Sequence, residues 1–371
     1  MLLVLTTFSH NLIDLNASNV TENSSLYSQN QTIRTMLNIT LPILLIAMII
    51  GCAGNAFVCW IIRNKREFHT PTFYLMMNMA ISDCIMLLAS SIMLINDIAL
   101  MTFKTTQFQI SFTLLCKLLP VLILTSYVSS SVTLAAISVE RYWSVTARSQ
   151  QGSLLNTRKK LQIIIIISWL LGFLITSPFF GIVTVPQRFP WICTIKNINI
   201  VFSSAYFLTL TLIAYVLPAI TVVTMYVKII LFLRHSFNDK RQCKQQKYYA
   251  NRKRHIRMVF MFILLTGTFL LFSSFLFSLF LLMAFSGKGV DQHLVSQNPR
   301  SAILAELGFL LTVVSCLQNP ILYFAFNPSF RQILYFKFRE CCSNLRPKLK
   351  LGMVIEPAPN IEVYGIASHQ K

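Results

Sequence analysis

An acid and a base stand side by side, as Glu140 and Arg141, at the end of an apolar run that begins near Phe112, and Tyr142 follows them. Placing such a pair against hydrocarbon is costly, so both side chains are expected to face a helix bundle or water. One alternative is that Arg141 only extends its charged head to the membrane surface. The sharper hypothesis is an ionic switch at one membrane face, and the rest of the chain must decide between the two.

Asp83 is the only acid deep within the second apolar run. A carboxylate in such surroundings is not stable when it is both ionised and unpaired. Two alternatives remain: Asp83 is protonated, or it holds a cation together with oxygen donors such as Ser130 and Asn319. A sodium ion suits these hard oxygen ligands better than a transition metal does.

Two tyrosines and a proline add to this polar set. Tyr226 and Tyr323 fall near the ends of the fifth and seventh runs, where their hydroxyls can approach Arg141. Pro320 frees a backbone carbonyl and permits a bend in the last run. Any one of these residues is also compatible with ordinary packing between helices, but that explanation is poor for the whole set.

The composition defines the class of protein. Apolar residues make up 55% of the 371 residues and charged residues 12%, whereas soluble domains carry about 25% charged residues. The predicted fold class is an all-α membrane protein, a seven-transmembrane helix bundle plus a short amphipathic cytoplasmic helix. The runs long enough to cross a bilayer, numbered spans 1 to 7, cover 39–62, 73–97, 112–140, 161–182, 200–233, 256–284 and 302–326.

The basic residues predict the orientation. The net charge of +20 is concentrated in the loops after spans 1, 3 and 5 and after span 7. The positive-inside rule then places the N-terminus outside and the C-terminus in the cytoplasm, as in a multi-pass plasma-membrane protein. No basic face interleaved with aromatic residues is present, which argues against nucleic acid as a partner.

The parts flanking the bundle carry modification signals. Residues 1–37 are predicted to form an extracellular tail, because glycosylation sequons begin at Asn16, Asn19, Asn23 and Asn30. Residues 327–342 are predicted to form an amphipathic helix, and residues 343–371 a cytoplasmic tail. Cys341 and Cys342, at the end of the amphipathic helix, suit palmitoylation, although two free cytosolic thiols are the alternative. The apolar face of this helix consists of Phe330, Ile333, Leu334 and Phe338.

Only two of the nine cysteines, Cys116 and Cys193, fall on the predicted outer side. Two thiols in an oxidising compartment are expected to pair, and two unpaired thiols are the alternative. Such a bond would fold the second outer loop back over the mouth of the bundle.

Taken in order, these motifs resemble the rhodopsin-like (class A) family of G-protein-coupled receptors from about residue 38 to 342. The resemblance implies that Arg141 is freed on activation to meet a G protein, while Tyr226 and Tyr323 rearrange around it. It also implies a resting-state sodium pocket of Asn55, Asp83, Ser130, Ser315 and Asn319. The matching residues are Gly54-Asn55, Asn78 through Asp83, Cys116, Glu140-Arg141-Tyr142, Trp169, Cys193, Pro218, Tyr226 and Asn319-Pro320-Ile321-Leu322-Tyr323.

The sequence departs from the family in span 6. The segment 266–280 lacks the Trp and the Pro of the family's usual Cys-Trp-x-Pro motif. Family members often carry an acid at the inner end of this span to hold the Arg. Because like charges cannot hold Arg141, Glu140 is predicted to be its only resting partner, with appreciable ligand-independent signalling. The basic residues at that end are Arg252, Lys253, Arg254, His255 and Arg257.

The ligand is predicted to be a peptide first, and a lipid or other small apolar molecule second. Amine receptors of the family carry an Asp where this chain has Ile123, which argues against an amine. Retinal attachment needs a Lys in span 7, and none lies between Arg300 and Lys337. The predicted outer pocket is apolar and aromatic, with Asp97, Lys117, Arg188, Lys196 and Glu306 near its rim. Its lining residues are Ile123, Leu124, Tyr127, Leu210, Phe309 and Val313.

The expected partners are an extracellular ligand, a heterotrimeric G protein and membrane lipids. Weak arrestin binding is expected, because Ser343 is the only Ser or Thr between Ser329 and Ser368. The serious alternative is a non-signalling or decoy receptor of the same fold. A transporter or channel would need repeats or a continuing charge path, and no enzyme motif is present, so no catalytic residue and no cofactor beyond a sodium ion is expected.

Overall fold

The computed structural model describes residues 24–103, 109–146, 155, 157–185, 193–196, 198–238, 246–286 and 299–345. Within these residues, seven helices are long and apolar enough to cross a membrane, which confirms the predicted all-α class. Span 3 runs from near Cys116 to near Arg141. The Cys116 end and the Arg141 end of the bundle are therefore its two opposite ends. The spans are Pro42–Asn64, Pro71–Asn96, Phe112–Thr146, Arg158–Ile182, Ile200–His235, Ile256–Ser286 and Leu307–Phe326.

Most of the helices that contain the spans are longer than the apolar runs predict, whereas the helix of span 4, Arg158–Thr176, ends earlier. Span 1 belongs to a helix that begins at Ser24, within the predicted tail, because neither Pro nor Gly interrupts residues 24–41. Span 5 passes through a π-helical turn, Leu212–Val216, before it continues. The helices are Ser24–Asn64, Pro71–Phe103, Gln109–Thr146, Arg158–Thr176, Ile200–Thr211, Leu217–Asn238, Gln246–Ser286, Pro299–Phe326 and Pro328–Leu345.

Span 4 ends in a short irregular segment. Proline lacks a backbone N–H and is best tolerated at the start of a helix. Pro178 accordingly separates the main helix from one turn of helix, Phe179–Ile182. The chain then forms strand β1, Val183–Thr184, which pairs antiparallel with strand β2, Thr194–Ile195.

Polar side chains join spans 2, 3 and 4. The Asn78 amide donates to the Thr133 hydroxyl at 2.9 Å and accepts from the Trp169 indole at 3.0 Å. The hydroxyls of Ser129 and Ser168 are 3.1 Å apart. Buried polar groups must be paired within the protein when no water is available. Hydrogen bonds therefore fix the relative positions of these three helices.

Spans 3 and 4 approach each other closely at Gly172. A Cβ atom at this position would lie 2.8 Å from the Thr125 carbonyl oxygen. Small residues allow helix backbones in a membrane to come this near. Above this point the hydroxyls of Thr125 and Thr176 are 2.7 Å apart.

We expect Gly172→Ala to destabilise the bundle by about 1–3 kcal/mol, because the added methyl group meets a backbone oxygen that cannot turn aside. The measurement is the thermal unfolding midpoint of detergent-purified protein. Gly267→Ala is the matched control, since a Cβ there meets nothing within 4 Å. Equal midpoints for the two variants would contradict the close approach.

The helix Pro328–Leu345 packs beneath the bundle. Its start is capped by Asn327, whose side-chain oxygen accepts from the backbone N–H of Ser329 at 3.1 Å. Phe330 is fully buried, with its ring centroid 4.6 Å from that of Phe68 in the loop after span 1. Ile333 packs partly against the core, whereas Leu334 is exposed. One residue of the predicted apolar face therefore anchors the helix to the protein.

The far part of this helix is polar. The Lys337 ammonium donates to the Glu340 carboxylate at 2.7 Å, and this bond lowers the pKa of the carboxyl below its ordinary value. The side chains of Phe338, Cys341 and Cys342 lie outside the described residues, so palmitoylation stays a prediction. Among the sequon residues, Asn16, Asn19 and Asn23 precede the described part, and the side chain of Asn30 also lies outside it.

Candidate functional site

A disulfide joins Cys116 of span 3 to Cys193, as predicted, with their Cα atoms 5.6 Å apart. Cys193 directly precedes strand β2, and the backbone N–H of Lys196 donates to the carbonyl of Ile182 at 3.0 Å. The disulfide and the strand pair therefore fasten the second loop to the Cys116 end of the bundle.

Asp83 lies at a meeting point of spans 2, 3 and 7. The Asn319 amide donates to the Asp83 carboxylate at 2.5 Å. The side chains of Ser130 and Cys316 face the same carboxylate. All four residues are buried. The predicted association of Asp83 with Ser130 and Asn319 is therefore present, and Cys316 is a further neighbour of the carboxylate.

Two residues of the predicted sodium pocket are arranged differently. The Asn55 amide donates to the carbonyls of Gly51 and Cys316, at 3.0 and 3.1 Å, and so ties span 1 to the backbone of span 7. The Ser315 hydroxyl donates at 2.7 Å to the carbonyl of Thr312 in its own helix. Serine in a helix commonly bonds back in this way. The sodium-pocket role predicted for Asn55 and Ser315 therefore stays a prediction.

The oxygen atoms around Asp83 fit a hard cation. Seven buried side-chain oxygens in the described bundle have no hydrogen-bond partner, and two of them belong to Asn55 and Asn319 of the predicted sodium pocket. Such atoms are costly to bury unless something binds them. The described residues contain no group of three or more His, Cys, Asp or Glu that could hold a metal ion. The donor set therefore suits a sodium ion, which accepts neutral oxygens, rather than a transition metal.

Arg141 is buried at the other end of span 3, with only 8% of its surface exposed. Its guanidinium carbon lies 5.1 Å from the ring centroid of Phe262 in span 6. The Nε–H of Arg141 has no acceptor among the described residues. The arginine thus faces the interior of the bundle and not lipid, which favours the switch over the simple surface charge.

The predicted pairing of Arg141 with Glu140 stays a prediction, and the structure shows which other groups bind the Glu140 carboxylate. The Glu140 carboxylate accepts from the backbone N–H of Leu155 at 3.3 Å and from the Ser144 hydroxyl at 3.4 Å. Glu140 therefore anchors the loop after span 3.

The tyrosines expected near Arg141 also differ from each other. The Tyr323 hydroxyl points to the sulfur of Met79 in span 2, at 3.8 Å, and so does not reach Arg141. The Tyr226 hydroxyl is buried without a hydrogen-bond partner in the described part of the chain. Tyr142 lies beneath Lys228, whose ammonium is 5.8 Å from the ring centroid.

The predicted ligand-pocket residues lie in the core of the bundle. Tyr127 stacks on Phe269 with ring centroids 5.2 Å apart and contacts Phe277 at 5.5 Å. Leu124, Leu210 and Val313 are buried, and Ile123 and Phe309 pack partly against them. Of the predicted rim charges, Lys117 and Lys196 are described, whereas the side chains of Asp97, Arg188 and Glu306 are not.

Span 6 is fastened along the half that faces the Cys116 end. Hydroxyls of span 5 donate to three of its carbonyls: Ser203 to Met283 at 2.8 Å, Ser204 to Ala284 at 2.6 Å and Tyr215 to Leu270 at 3.2 Å. On the other side, a Cβ at Gly308 of span 7 would lie 3.0 Å from the Cα of Leu276. Sequence reasoning missed these contacts, because serine and glycine in apolar runs have many roles.

Comparison with known proteins agrees with this architecture. The sequence model of a protein family, the 7 transmembrane receptor (rhodopsin family), matches residues 54–323 of this chain. A "Rhodopsin, GQ-coupled" from Mizuhopecten yessoensis is 28% identical over 313 residues, covering 81% of this chain and 60% of that protein. The "Tachykinin-like peptides receptor 86C" of Drosophila melanogaster is 23% identical over 309 residues, covering 80% of this chain and 57% of that receptor. The chain therefore spans about 60% of the length of these relatives.

The fold also matches a solved structure. The crystal structure of squid rhodopsin superposes with a TM-score of 0.65 at 22% identity, over 82% of this chain and 86% of that one. The chain belongs to the rhodopsin family of seven-transmembrane receptors and is a multi-pass membrane protein. Two of these relatives are rhodopsins, yet span 7 of this chain contains no lysine for a Schiff base.

Proposed function

We propose that this chain is a receptor that carries an extracellular signal to a heterotrimeric G protein. The Cys116 end faces outward and the Arg141 end faces the cytoplasm. The observation that carries the proposal is the buried guanidinium of Arg141, which lies between spans 3 and 6 at the end of the bundle. A partner protein can reach a residue that is 8% exposed only if span 6 moves aside.

The direct test uses purified receptor in lipid nanodiscs with one G protein of each class. The proposal expects nucleotide exchange on at least one of them above that seen with empty nanodiscs. Ligand binding without exchange on any class would instead favour the decoy receptor, for which the unusual span 6 is the argument.

A peptide is the proposed ligand, with a lipid or small apolar molecule second. Support comes from the relative in Drosophila melanogaster, whose name describes it as a receptor for tachykinin-like peptides. The apolar and aromatic residues near Tyr127 suit the side chains of a peptide as well as a lipid. Screening peptide and lipid libraries on expressing cells separates the two.

We propose a sodium ion as an allosteric ligand at Asp83, with Ser130 and the side-chain oxygen of Asn319 as further donors. The ion would supply a positive charge that keeps the carboxylate ionised and holds spans 2, 3 and 7 together.

We also propose weak arrestin binding, glycosylation of the N-terminal tail and palmitoylation of Cys341 and Cys342. The respective tests are a pull-down, enzymatic deglycosylation and palmitate labelling.

Replacing potassium by sodium at constant ionic strength is expected to raise the unfolding midpoint of the wild-type receptor, because a ligand that binds the folded state stabilises it. Asp83→Asn removes the charge that attracts the ion, so its midpoint should be the same in both salts. Ser90→Ala is the control, since Ser90 is also buried without a partner but lies outside the set around Asp83. A sodium response that persists in Asp83→Asn would contradict the assignment.

A further inference from the structure

We infer that Phe262 is the residue that holds Arg141 in the resting receptor, through a cation–π contact between spans 3 and 6. The inference rests on the proposed signalling function and names the element that keeps it off. The guanidinium carbon of Arg141 lies 5.1 Å from the centroid of the Phe262 ring. That distance is within the roughly 6 Å over which the face of an aromatic ring attracts a cation.

The burial of Arg141 makes the Phe262 ring an important compensating contact. The carboxylate of the adjacent acid, Glu140, accepts hydrogen bonds from the Leu155 backbone and the Ser144 hydroxyl. The Nε–H of Arg141 meets no acceptor within the described residues, and Phe262 is fully buried. A cation withdrawn from water loses much of its hydration, which makes the ring face count for more than it does at an exposed site.

The position of Phe262 along span 6 makes this contact a switch. Bonds to Ser203, Ser204 and Tyr215 fix the half of span 6 that faces the Cys116 end. Leu270, the last of the bonded carbonyls, is eight residues from Phe262, or about 12 Å along a helix. Span 6 contains no proline at which to bend. A movement of the half that bears Phe262, relative to the fastened half, would carry this ring away from Arg141 and expose the guanidinium.

The cation–π contact lowers the ligand-independent signalling that the sequence alone predicts. The basic residues near Arg257 cannot hold Arg141, but the neutral ring of Phe262 can. The fraction of receptor in the resting state then depends on the negative electrostatic potential at the face of that ring. Substitutions that alter the ring electronically, at nearly constant size, should shift the balance without emptying the core.

The test incorporates phenylalanine with zero, one, two and three ring fluorines at position 262 of the full-length receptor. Fluorine withdraws electron density from the ring face and weakens its attraction for a cation. Basal nucleotide exchange is expected to rise stepwise, by roughly three- to tenfold at three fluorines, since small free-energy changes shift a two-state ratio by such factors. The unfolding midpoint of the receptor alone, without G protein, is expected to fall in the same order.

Two controls separate the contact from ordinary packing. The same series at Phe68, a buried ring that contacts Phe73 and Phe330, should leave basal exchange without a trend. In an Arg141→Gln background, fluorination at position 262 should no longer change the unfolding midpoint, because the cation is gone. Phe262→Leu in the wild-type background should raise basal exchange at least as much as three fluorines do.

The readouts distinguish this inference from the proposed function. A graded midpoint that disappears with Arg141→Gln supports the contact even if no G protein responds, and only the signalling role then fails. A flat midpoint series, or an equal trend with Arg141→Gln, would overturn the contact. Flat basal exchange in a receptor that does signal would overturn its role as the switch.

Discussion

Arg141→Ala is expected to abolish nucleotide exchange on the responsive G protein, to the level of nanodiscs without receptor. The proposal assigns the guanidinium as the group that meets the G protein once span 6 has moved, and alanine leaves no donor at that depth. The fold should persist, because the substitution removes a buried cation whose burial is itself costly. Exchange and the unfolding midpoint are measured on the same preparation.

The matched control is Arg257→Ala, which removes an exposed arginine at the same end of span 6. Exposed charges influence association mainly by attraction at a distance, so its exchange should fall at most severalfold. Equal loss in both variants would show that total charge at this end is what matters and would contradict a specific role for Arg141.

Cys116→Ser is expected to lower the free energy of unfolding by about 2–4 kcal/mol, the usual contribution of a disulfide. The bond closes a loop of sequence separation 77 between span 3 and the segment next to strand β2. Without it, the loop that carries the strand pair is no longer fastened at Cys116. Receptor at the cell surface and the unfolding midpoint of purified protein both report the loss.

Cys193→Ser should have the same effect as Cys116→Ser, and the double substitution should be no worse than either alone. Cys52→Ser is the control, because Cys52 is a free cysteine within span 1. Additive losses in the double substitution would mean that the two side chains stabilise the protein independently and not as one bond.

The seven spans were predictable because the bilayer imposes one strong rule on the sequence. A helix that crosses hydrocarbon needs about twenty mostly apolar residues, and each run met that length. The ends of the helices were less predictable, since hydropathy reports where lipid begins and not where a helix stops. The helix that starts at Ser24 passes well into the polar tail for this reason.

The site around Asp83 was partly visible in the sequence for a related reason. An acid deep within an apolar run is rare, and Asn319 beside Pro320 is nearly as conspicuous. Side-chain direction was not visible, however. Ser315 lies on the expected helix yet donates to its own backbone, and Tyr323 turns toward Met79 and away from Arg141.

Phe262 had no sequence signal at all. It is one of 29 phenylalanines in the chain, most of them in apolar runs, where a ring that packs and a ring that holds a cation look identical. Only the three-dimensional neighbourhood, with Arg141 under its face, separates it from the others. The sequence prediction named only the adjacent acid, Glu140, as a partner of Arg141.

The most direct test of the proposed switch is a measurement of how far span 6 moves at the Arg141 end. Spin labels introduced through unnatural amino acids at the exposed positions 63 and 257 report the distance between spans 1 and 6 at that end. We predict that this distance is longer when nucleotide-free G protein is bound. In Phe262→Leu without G protein, we predict a distance between the resting and the G-protein-bound values. A distance that stays the same with G protein bound would contradict the proposed switch.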